Sequence, residues 1–312
     1  MRQSLANVRL LGYIMLEWPS QEAVLAIVGT VDACAEDELE LEGQAYLDHL
    51  LRVFRSNKDP TPNPSGHISQ PSFVRKRDVM MYVMEEASQN HQTAKKKALI
   101  RDGFCCVITG QYDTHTVETV KELRDDVLAF ELRIGVTHCS HIFGESVNAN
   151  ISRPIVDEKK KTYAATVWTI MESFGYTELQ QELNGVNIYR LENVMTLSAD
   201  AHDRFDRLKL WFVETDTPNT YRLDATDEIF LTSYPKTVTF ENHSDLDLPL
   251  PSCTYLKIHA ACARIVHLSG AAEYIDMILR EMEDVKVLSE DGTSADVSNY
   301  AILSSNPRVS VF

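Results

Sequence analysis

His141, His202 and Asp206 constrain the fold of this chain more than any other residues. His141 ends a segment with the pattern of a β-strand, whereas His202 and Asp206 lie four residues apart in a segment with the pattern of a helix. Side chains four apart on a helix lie one turn above each other, with Cβ atoms about 5–6 Å apart, and can reach the same point. Packing of the strand against this helix would gather all three side chains around one small site.

The order of the predicted elements indicates an α+β fold. A central domain of strands and helices is predicted over residues 73–245, with a helical insertion at 143–187. Residues 1–72 are predicted to be helical and to end in a connector at 57–72, whose four prolines cannot continue a helix. Residues 246–312 are predicted to be helical again. Since single cores rarely grow beyond roughly 250–300 residues, a chain of 312 residues suits a central domain with helical additions.

Individual elements follow from the spacing of apolar residues and turn residues. Strands are expected at 104–108, 134–141, 188–191, 194–197, 210–213, 221–223 and 237–240. Helices are expected at about 120–130 and around 164–171. Asp200 is the expected N-cap of the helix that carries His202 and Asp206, and Gly103 is expected to end a short basic helix at 95–101.

His141 has the properties of a general base, because the pKa of an unperturbed histidine is about 6.5. Side chains alternate along a strand, so His141 and Cys139 point to one face and His138 and Ser140 to the other. We expect His141 to face the helix of His202, and His138 to face away as a structural or exposed residue. Asn193, which carries both a donor and an acceptor, could hold the loop of the base or bind a metal itself. A plain turn residue is the alternative for Asn193.

His202 and Asp206 form a candidate metal site. A histidine with a carboxylate suits zinc, manganese or nickel, and a carboxylate with waters suits magnesium. The expected cofactor is therefore a divalent metal ion, Mg²⁺, Mn²⁺ or Zn²⁺, and the alternative is an ion pair on a helix surface. Phe205 points to another side of the helix and is expected to pack it onto the strands.

The six cysteines contain no C-x-x-C pair, which favours reduced thiols inside a cell, in the nucleus or the cytoplasm. A zinc cluster of Cys105, Cys106 and Cys139 is the alternative. No run of about 18 apolar residues is present, so we expect no membrane span. An apolar patch near the N-terminus, at 10–16, is expected to belong to the core and not to a signal peptide. The oligomeric state does not follow from the sequence.

The charge is unevenly distributed along the chain. The net charge of −16 opposes binding to a polyanion, yet residues 73–101 hold seven basic residues against three acidic ones, a net charge of +4. Candidate contacts to nucleic acid are Lys95, Lys96, Lys97, Arg101, Lys159, Lys160 and Lys161. The alternative is that these basic runs are only solvated helix faces.

Four short motifs in a fixed order resemble the fungal branch of the HNH endonucleases, over about residues 99–230. They are Arg101-Asp102-x-x-Cys105-Cys106-x-x-Thr109-Gly110, Cys139-Ser140-His141-Ile142, Asn193-x-x-x-Leu197 and His202-x-x-Phe205-Asp206. The resemblance implies a ββα-metal fold that cuts nucleic acid, with DNA expected as the partner. It also implies that His141 is the general base, that His202 and Asp206 hold the metal, and that Asn193 positions the base or completes the metal shell.

One position departs from the pattern of this family. Many HNH enzymes have an acidic residue or a histidine directly before the base, as a further metal ligand, whereas this chain has Ser140. Together with the acidic ends of the chain, this departure favours a second hypothesis. In that hypothesis the fold is retained, catalysis is lost, and the helical flanks bind a partner.

Overall fold

The computed structural model describes residues 2–35, 38–51, 54, 90–144, 147, 158–273 and 275. The predicted connector at 57–72 lies outside these residues, as do the basic residues at 75–77 and most of the predicted helical region after 275. The side chains of Lys159, Lys160 and Lys161 also lie outside, although the backbone at these positions is helical.

The described residues form helices and short strands. The helices are α1 (Arg2–Glu17), α2 (Gln21–Ala33), α3 (Leu39–Tyr46), α4 (His91–Arg101), α5 (Thr114–Thr119), α6 (Lys121–Ala129), α7 (Glu158–Ser173), α8 (Leu179–Leu183), α9 (Ala199–Asp206) and α10 (Cys253–Ser269). The strands are β1 (Tyr112–Asp113), β2 (Ile134–Gly135), β3 (Thr137–His141), β4 (Val194–Ser198), β5 (Leu210–Glu214), β6 (Thr220–Ala225) and β7 (Thr237–Thr239). Among the described helices, none combines the length and the apolar character that a membrane crossing requires.

One hydrophobic core is shared by the N-terminal helices, the central strands and α10. α1 packs against α3 and α10, and α10 also packs against β5. Gly43 allows α3 to approach α1 closely, because a Cβ atom at this position would collide with the backbone carbonyl of Asn7. Phe205 of α9 is buried against Phe212 of β5, so it packs α9 onto the strands as predicted.

The antiparallel pair of β3 and β4 carries the candidate residues. Its register places His138 opposite Leu197 and His141 opposite Val194. α9 begins at Ala199, directly after β4, and both α4 and α9 contact both strands. A short hydrogen-bonded pair of strands is thus held between helices that come from different parts of the chain.

Several predicted elements are confirmed. The three strands predicted at 210–213, 221–223 and 237–240 form the antiparallel sheet β5-β6-β7. The helix expected at about 120–130 is α6, and the helix expected around 164–171 lies within α7. The segment 134–141 is extended, but it is divided into β2, which pairs with β1, and β3, which pairs with β4.

The strand predicted at 104–108 is wrong. Gly103 and Phe104 both have positive φ angles, 69° and 64°, so the chain turns here instead of extending. Within this segment only Cys105 pairs, through a single bridge to Tyr112. The left-handed Gly103 does follow the end of α4, as expected from the sequence.

Two details near Asn193 also differ from the prediction. The segment 188–191 is not extended, because the backbone forms 3₁₀ turns in which the Asn193 N–H donates to the Arg190 carbonyl. Asp200 is not the N-cap of α9, since the helix begins at Ala199 and Ser198 occupies the cap position, two residues earlier than predicted. Asp200 instead lies in the first turn, where a carboxylate is favoured by the helix dipole.

Candidate functional site

His202 and Asp206 converge on the outer face of α9. The Nε2 atom of His202 lies 3.2 Å from the Oδ2 atom of Asp206, and the two side chains are 27% and 21% exposed. The helical spacing thus brings a nitrogen donor and an oxygen donor to one point, as predicted. Burial, followed by the nearby His138, lowers the pKa of His202 to about 4. The imidazole is therefore neutral near pH 7, and a neutral imidazole is the form that binds metals.

His141 lies at the end of β3 and is only 7% exposed. Its ring packs against the ring of His91 at the start of α4, with 5.6 Å between centroids, and against Tyr189 at 5.7 Å. Burial, followed by the neighbouring His91 and His202, lowers the pKa of His141 to about 3. The imidazole of His141 is therefore neutral near pH 7 and can accept a proton.

The orientation predicted for His138 is wrong. The ring of His138 lies 5.3 Å from that of His202 and nearly parallel to it, with an angle of 17° between the planes. Cys139, on the other face of β3, is buried against Ala98 of α4. The alternation along the strand is as expected, but α4 covers the face that Cys139 shares with His141. The ring of His138 therefore stacks on His202 of α9, whereas the ring of His141 packs against His91 of α4.

Asn193 is fully buried and holds the loop that follows His141. Its Oδ1 atom accepts a hydrogen bond from the Phe143 N–H at 2.9 Å. Its Nδ2 atom donates to the carbonyls of Phe143 at 2.8 Å and of Ile188 at 2.9 Å. Of the two functional roles considered for Asn193, these hydrogen bonds support the positioning of the loop.

Arg101 does not contact nucleic acid in the way the sequence predicts, because it is 0% exposed. Its Nε atom lies 2.7 Å from Oδ1 of Asp102, and its Nη atoms donate to the carbonyls of Leu191, Val194 and Pro249. With its donors bound to protein, the guanidinium cannot reach a phosphate.

The partner of Arg101 extends the same network. Asp102 accepts a hydrogen bond from the Thr196 N–H at 2.7 Å through its Oδ2 atom. The buried ion pair therefore attaches the end of α4 to Leu191, just before β4, and to Thr196 in the middle of β4. Its function is to hold the strand that leads into α9.

The basic side chains near the site come from α4. Lys95 is exposed, and Lys96 and Lys97 are partly exposed. The ammonium group of Lys95 lies near His138 and lowers its pKa, after the larger effect of burial. Lys95 therefore has both the exposure and the position to contact a phosphate next to the site.

No group of three or more His, Cys, Asp or Glu side chains that could hold a metal ion is found among the described residues. The alternative zinc cluster of Cys105, Cys106 and Cys139 is thus not assembled there. The pair of His202 and Asp206 does not fit a structural zinc site, which takes four protein ligands. It fits an ion that keeps most of its ligands as water or substrate oxygen, as Mg²⁺ usually does.

The buried hydroxyl group of Ser140 is also consistent with a hydrated ion at this site. Its side chain is 0% exposed, and its Oγ atom makes no hydrogen bond to the described residues. Since buried hydroxyl groups are usually hydrogen-bonded, often to ordered water, this atom is suited to contact a water molecule of a hydrated ion.

Three residues near the candidate site were not assigned to it from the sequence: His91, His138 and Tyr189. His91 follows the N-cap Asn90, whose side chain accepts a hydrogen bond from the Thr93 N–H. This cap marks where α4 begins, but it does not indicate which segment α4 packs against. Tyr189 lies in the 3₁₀ turn that replaces a predicted strand. Their proximity to His141 depends on packing between distant segments.

The comparisons with known proteins give one match. The model of the HNH endonuclease family matches residues 106–213. A search of curated proteins and a search of solved structures found no match to the chain. α4, with His91, Lys95 and the buried Arg101, lies before the matched residues. The segment that carries His141, Asn193, His202 and Asp206 is thus the one that matches the HNH endonuclease family.

Proposed function

We propose that this protein is a metal-dependent endonuclease that hydrolyses phosphodiester bonds in nucleic acid, with DNA as the expected substrate. The observation that carries the proposal is the convergence of His202 and Asp206 on α9, directly after the strand that pairs with the strand of His141. The family match over 106–213 supports the same reading. In this proposal β3, β4 and α9 form the ββα-metal unit of the fungal branch.

His141 is the proposed general base. Its neutral ring removes a proton from the attacking water, and the contacts with His91 and Tyr189 hold the ring in place. A general base works best when its pKa is near the working pH, whereas burial holds the pKa of His141 at about 3. The negative charge of a bound phosphate favours the protonated ring and raises this pKa, so the base becomes stronger when substrate is present.

His202 and Asp206 are the proposed metal ligands. A divalent ion bound there would neutralise charge on the scissile phosphate and on the leaving oxygen. Asn193 holds the loop after His141 by its hydrogen bonds to Phe143, and Lys95 is placed to bind a neighbouring phosphate. The chain itself contributes mainly position and charge, which is what phosphoryl transfer requires.

Nicking of plasmid DNA by the full chain tests the proposal. The purified protein should nick the plasmid with Mg²⁺, Mn²⁺ or Zn²⁺, and His141→Ala should lower the rate by about 10²–10⁴-fold, the usual contribution of a general base. His115→Ala is the matched control, because His115 is an exposed histidine on α5, outside the motif residues. Equal nicking by the wild type and by His141→Ala would remove His141 from the mechanism.

A second candidate function is an interaction module with the same fold and without catalysis. Ser140 favours it, because a neutral serine is a poor metal ligand, and so does the direct contact between His202 and Asp206. Metal titration by calorimetry separates the two functions. Metal uptake that is lost in His202→Ala and Asp206→Ala supports the nuclease, whereas the absence of uptake supports the interaction module.

A further inference from the structure

We propose that His138 is a third metal-binding side chain of this site and supplies the donor that Ser140 lacks. The inference rests on the proposed function, because it concerns the same ion. It changes the expected ligand set from one imidazole and one carboxylate to two imidazoles and one carboxylate. The partner of the site is then a divalent cation such as Zn²⁺ or Ni²⁺, because imidazole suits these ions better than Mg²⁺.

His138 lies close to His202, one of the two proposed metal ligands on α9. Its ring is 5.3 Å from the ring of His202, whose Nε2 atom is 3.2 Å from Asp206. These side chains come from β3 and α9, and β4 links the two elements because it pairs with β3 and runs directly into α9. Both histidines are partly exposed, so an ion from solvent can reach the rings.

Ser140 lies on the same face of β3 as His138 and has a buried hydroxyl group. It lies two residues after His138 in the same strand, and side chains two apart in a strand share a face. Its buried Oγ atom makes no hydrogen bond within the described part of the chain. A buried hydroxyl without a partner costs free energy, and a water bound to an ion between His138 and His202 would provide the missing partner.

Binding of a metal ion by all three side chains requires a change in the orientation of the rings. Among the described residues the three donors do not meet at one point, because the rings of His138 and His202 are stacked and His202 contacts Asp206. An ion held by His138, His202 and Asp206 would take the place of the contact between His202 and Asp206. The stack keeps the two ring centroids 5.3 Å apart.

The test is metal binding by the full chain, measured separately from cleavage. The key variant is His138→Phe, which keeps an aromatic ring against His202 and removes both ring nitrogens. Calorimetry with Zn²⁺ gives the affinity, and the visible absorption of bound Co²⁺ reports the ligand set. We expect His138→Phe to weaken Zn²⁺ binding by at least about 100-fold, the upper range for loss of a supporting residue of a metal site, and to change the Co²⁺ spectrum. His115→Ala should change neither.

The outcomes separate this inference from the proposed function. If His202→Ala loses Zn²⁺ but His138→Phe binds it like the wild type, His138 only packs against His202, and the inference fails while the nuclease proposal stands. If the wild type binds neither Zn²⁺ nor Co²⁺, the inference fails, whereas nicking of plasmid DNA with Mg²⁺ then decides whether the nuclease proposal stands. Circular dichroism of His138→Phe verifies the fold, and His138→Ala serves as the second variant should phenylalanine disturb it.

Discussion

The imidazole ring of His91 lies against that of His141, with 5.6 Å between the ring centroids and an angle of 26° between the planes. His91 is the first residue of α4, whereas His141 is the last residue of β3. α4 precedes the segment that matches the HNH endonuclease family. The environment of the proposed base therefore includes a residue that the family match does not cover.

Replacement of His91 tests whether this contact matters for the proposed base. His91→Ala removes the ring that packs against His141. We expect initial rates of plasmid nicking to fall by roughly tenfold, since a small displacement of a catalytic group lowers the rate strongly. His91→Phe keeps the ring and should retain most of the rate. An unchanged rate in His91→Ala, with an unchanged thermal midpoint, would contradict a positioning role.

The pH profile of His91→Phe gives a second readout. Burial lowers the pKa of His141 most, and the electrostatic effect of His91 lowers it next, so replacement of His91 raises that pKa. A base acts only when it is unprotonated, and the rate falls as the pH drops through its pKa. The acidic limb of the profile should therefore move to higher pH in His91→Phe, and it should not move in His115→Ala.

The sequence predicted the contact of His202 with Asp206 better than it predicted the surroundings of β3. The spacing of His202 and Asp206 depends only on helix geometry, and the structure brings the two side chains together. The orientation of His138 required knowledge of which helix covers each face of β3. That depends on α4, whose contact with Cys139 joins residues about forty positions apart in the chain. Alternation along a strand gives two faces but does not say which one is covered.

Arg101 illustrates the same limit for charged residues. It follows three lysines in a basic run, so the sequence favoured an exposed residue that binds phosphate. The next residue, Asp102, and the carbonyls of a distant segment bury it instead. The strand predicted at 104–108 was wrong for a local reason, because apolar residues suggested extension where Phe104 adopts a left-handed conformation.

Loss of the buried ion pair should destabilise the fold. Arg101→Met leaves the Asp102 carboxylate buried without its partner, and removal of one member of a buried pair costs about 3–5 kcal/mol. Urea unfolding should show this decrease in the free energy of unfolding. Arg124→Met is the matched control, because Arg124 is exposed on α6, and it should change stability little. Normal stability of Arg101→Met with weaker DNA binding would instead support the contact predicted from the sequence.

Asn193 should be important for stability as well as for the site. Asn193→Ala leaves the N–H and carbonyl of Phe143 and the carbonyl of Ile188 without their side-chain partner. Buried groups that lose a partner cost about 1–3 kcal/mol, so the midpoint of urea unfolding should fall. Asn187→Ala is the control, because Asn187 is exposed and its side-chain amide donates only a long hydrogen bond, 3.5 Å, to the Gln181 carbonyl among the described residues. Similar unfolding midpoints in the two variants would show that the Asn193 amide does not hold this loop.

Buried histidines should make the protein sensitive to acid. His259 of α10 is 1% exposed, and its ring stacks on the ring of Phe205 with 3.8 Å between the ring centroids. Burial lowers the pKa of His259 to about 3. The unfolded chain, with a histidine pKa of about 6.5, binds a proton that the folded chain does not bind until the pH is far lower. The free energy of unfolding therefore falls as the pH drops below about 6.5, by about 1.4 kcal/mol per pH unit for each such group.

The contribution of His259 can be isolated by a variant that cannot titrate. In the presence of a chelator, the wild type should lose stability between pH 6.5 and 4.5 through His259 and also through His141, whose pKa is lowered to about 3. His259→Phe keeps a ring against Phe205 and should reduce the slope of stability against pH by about one proton, because only the unfolded state binds that proton in this range. His115→Phe removes an exposed histidine and should leave the slope unchanged. Urea unfolding at several pH values measures both slopes, and equal slopes for His259→Phe and the wild type would mean that His259 is already protonated in the folded protein.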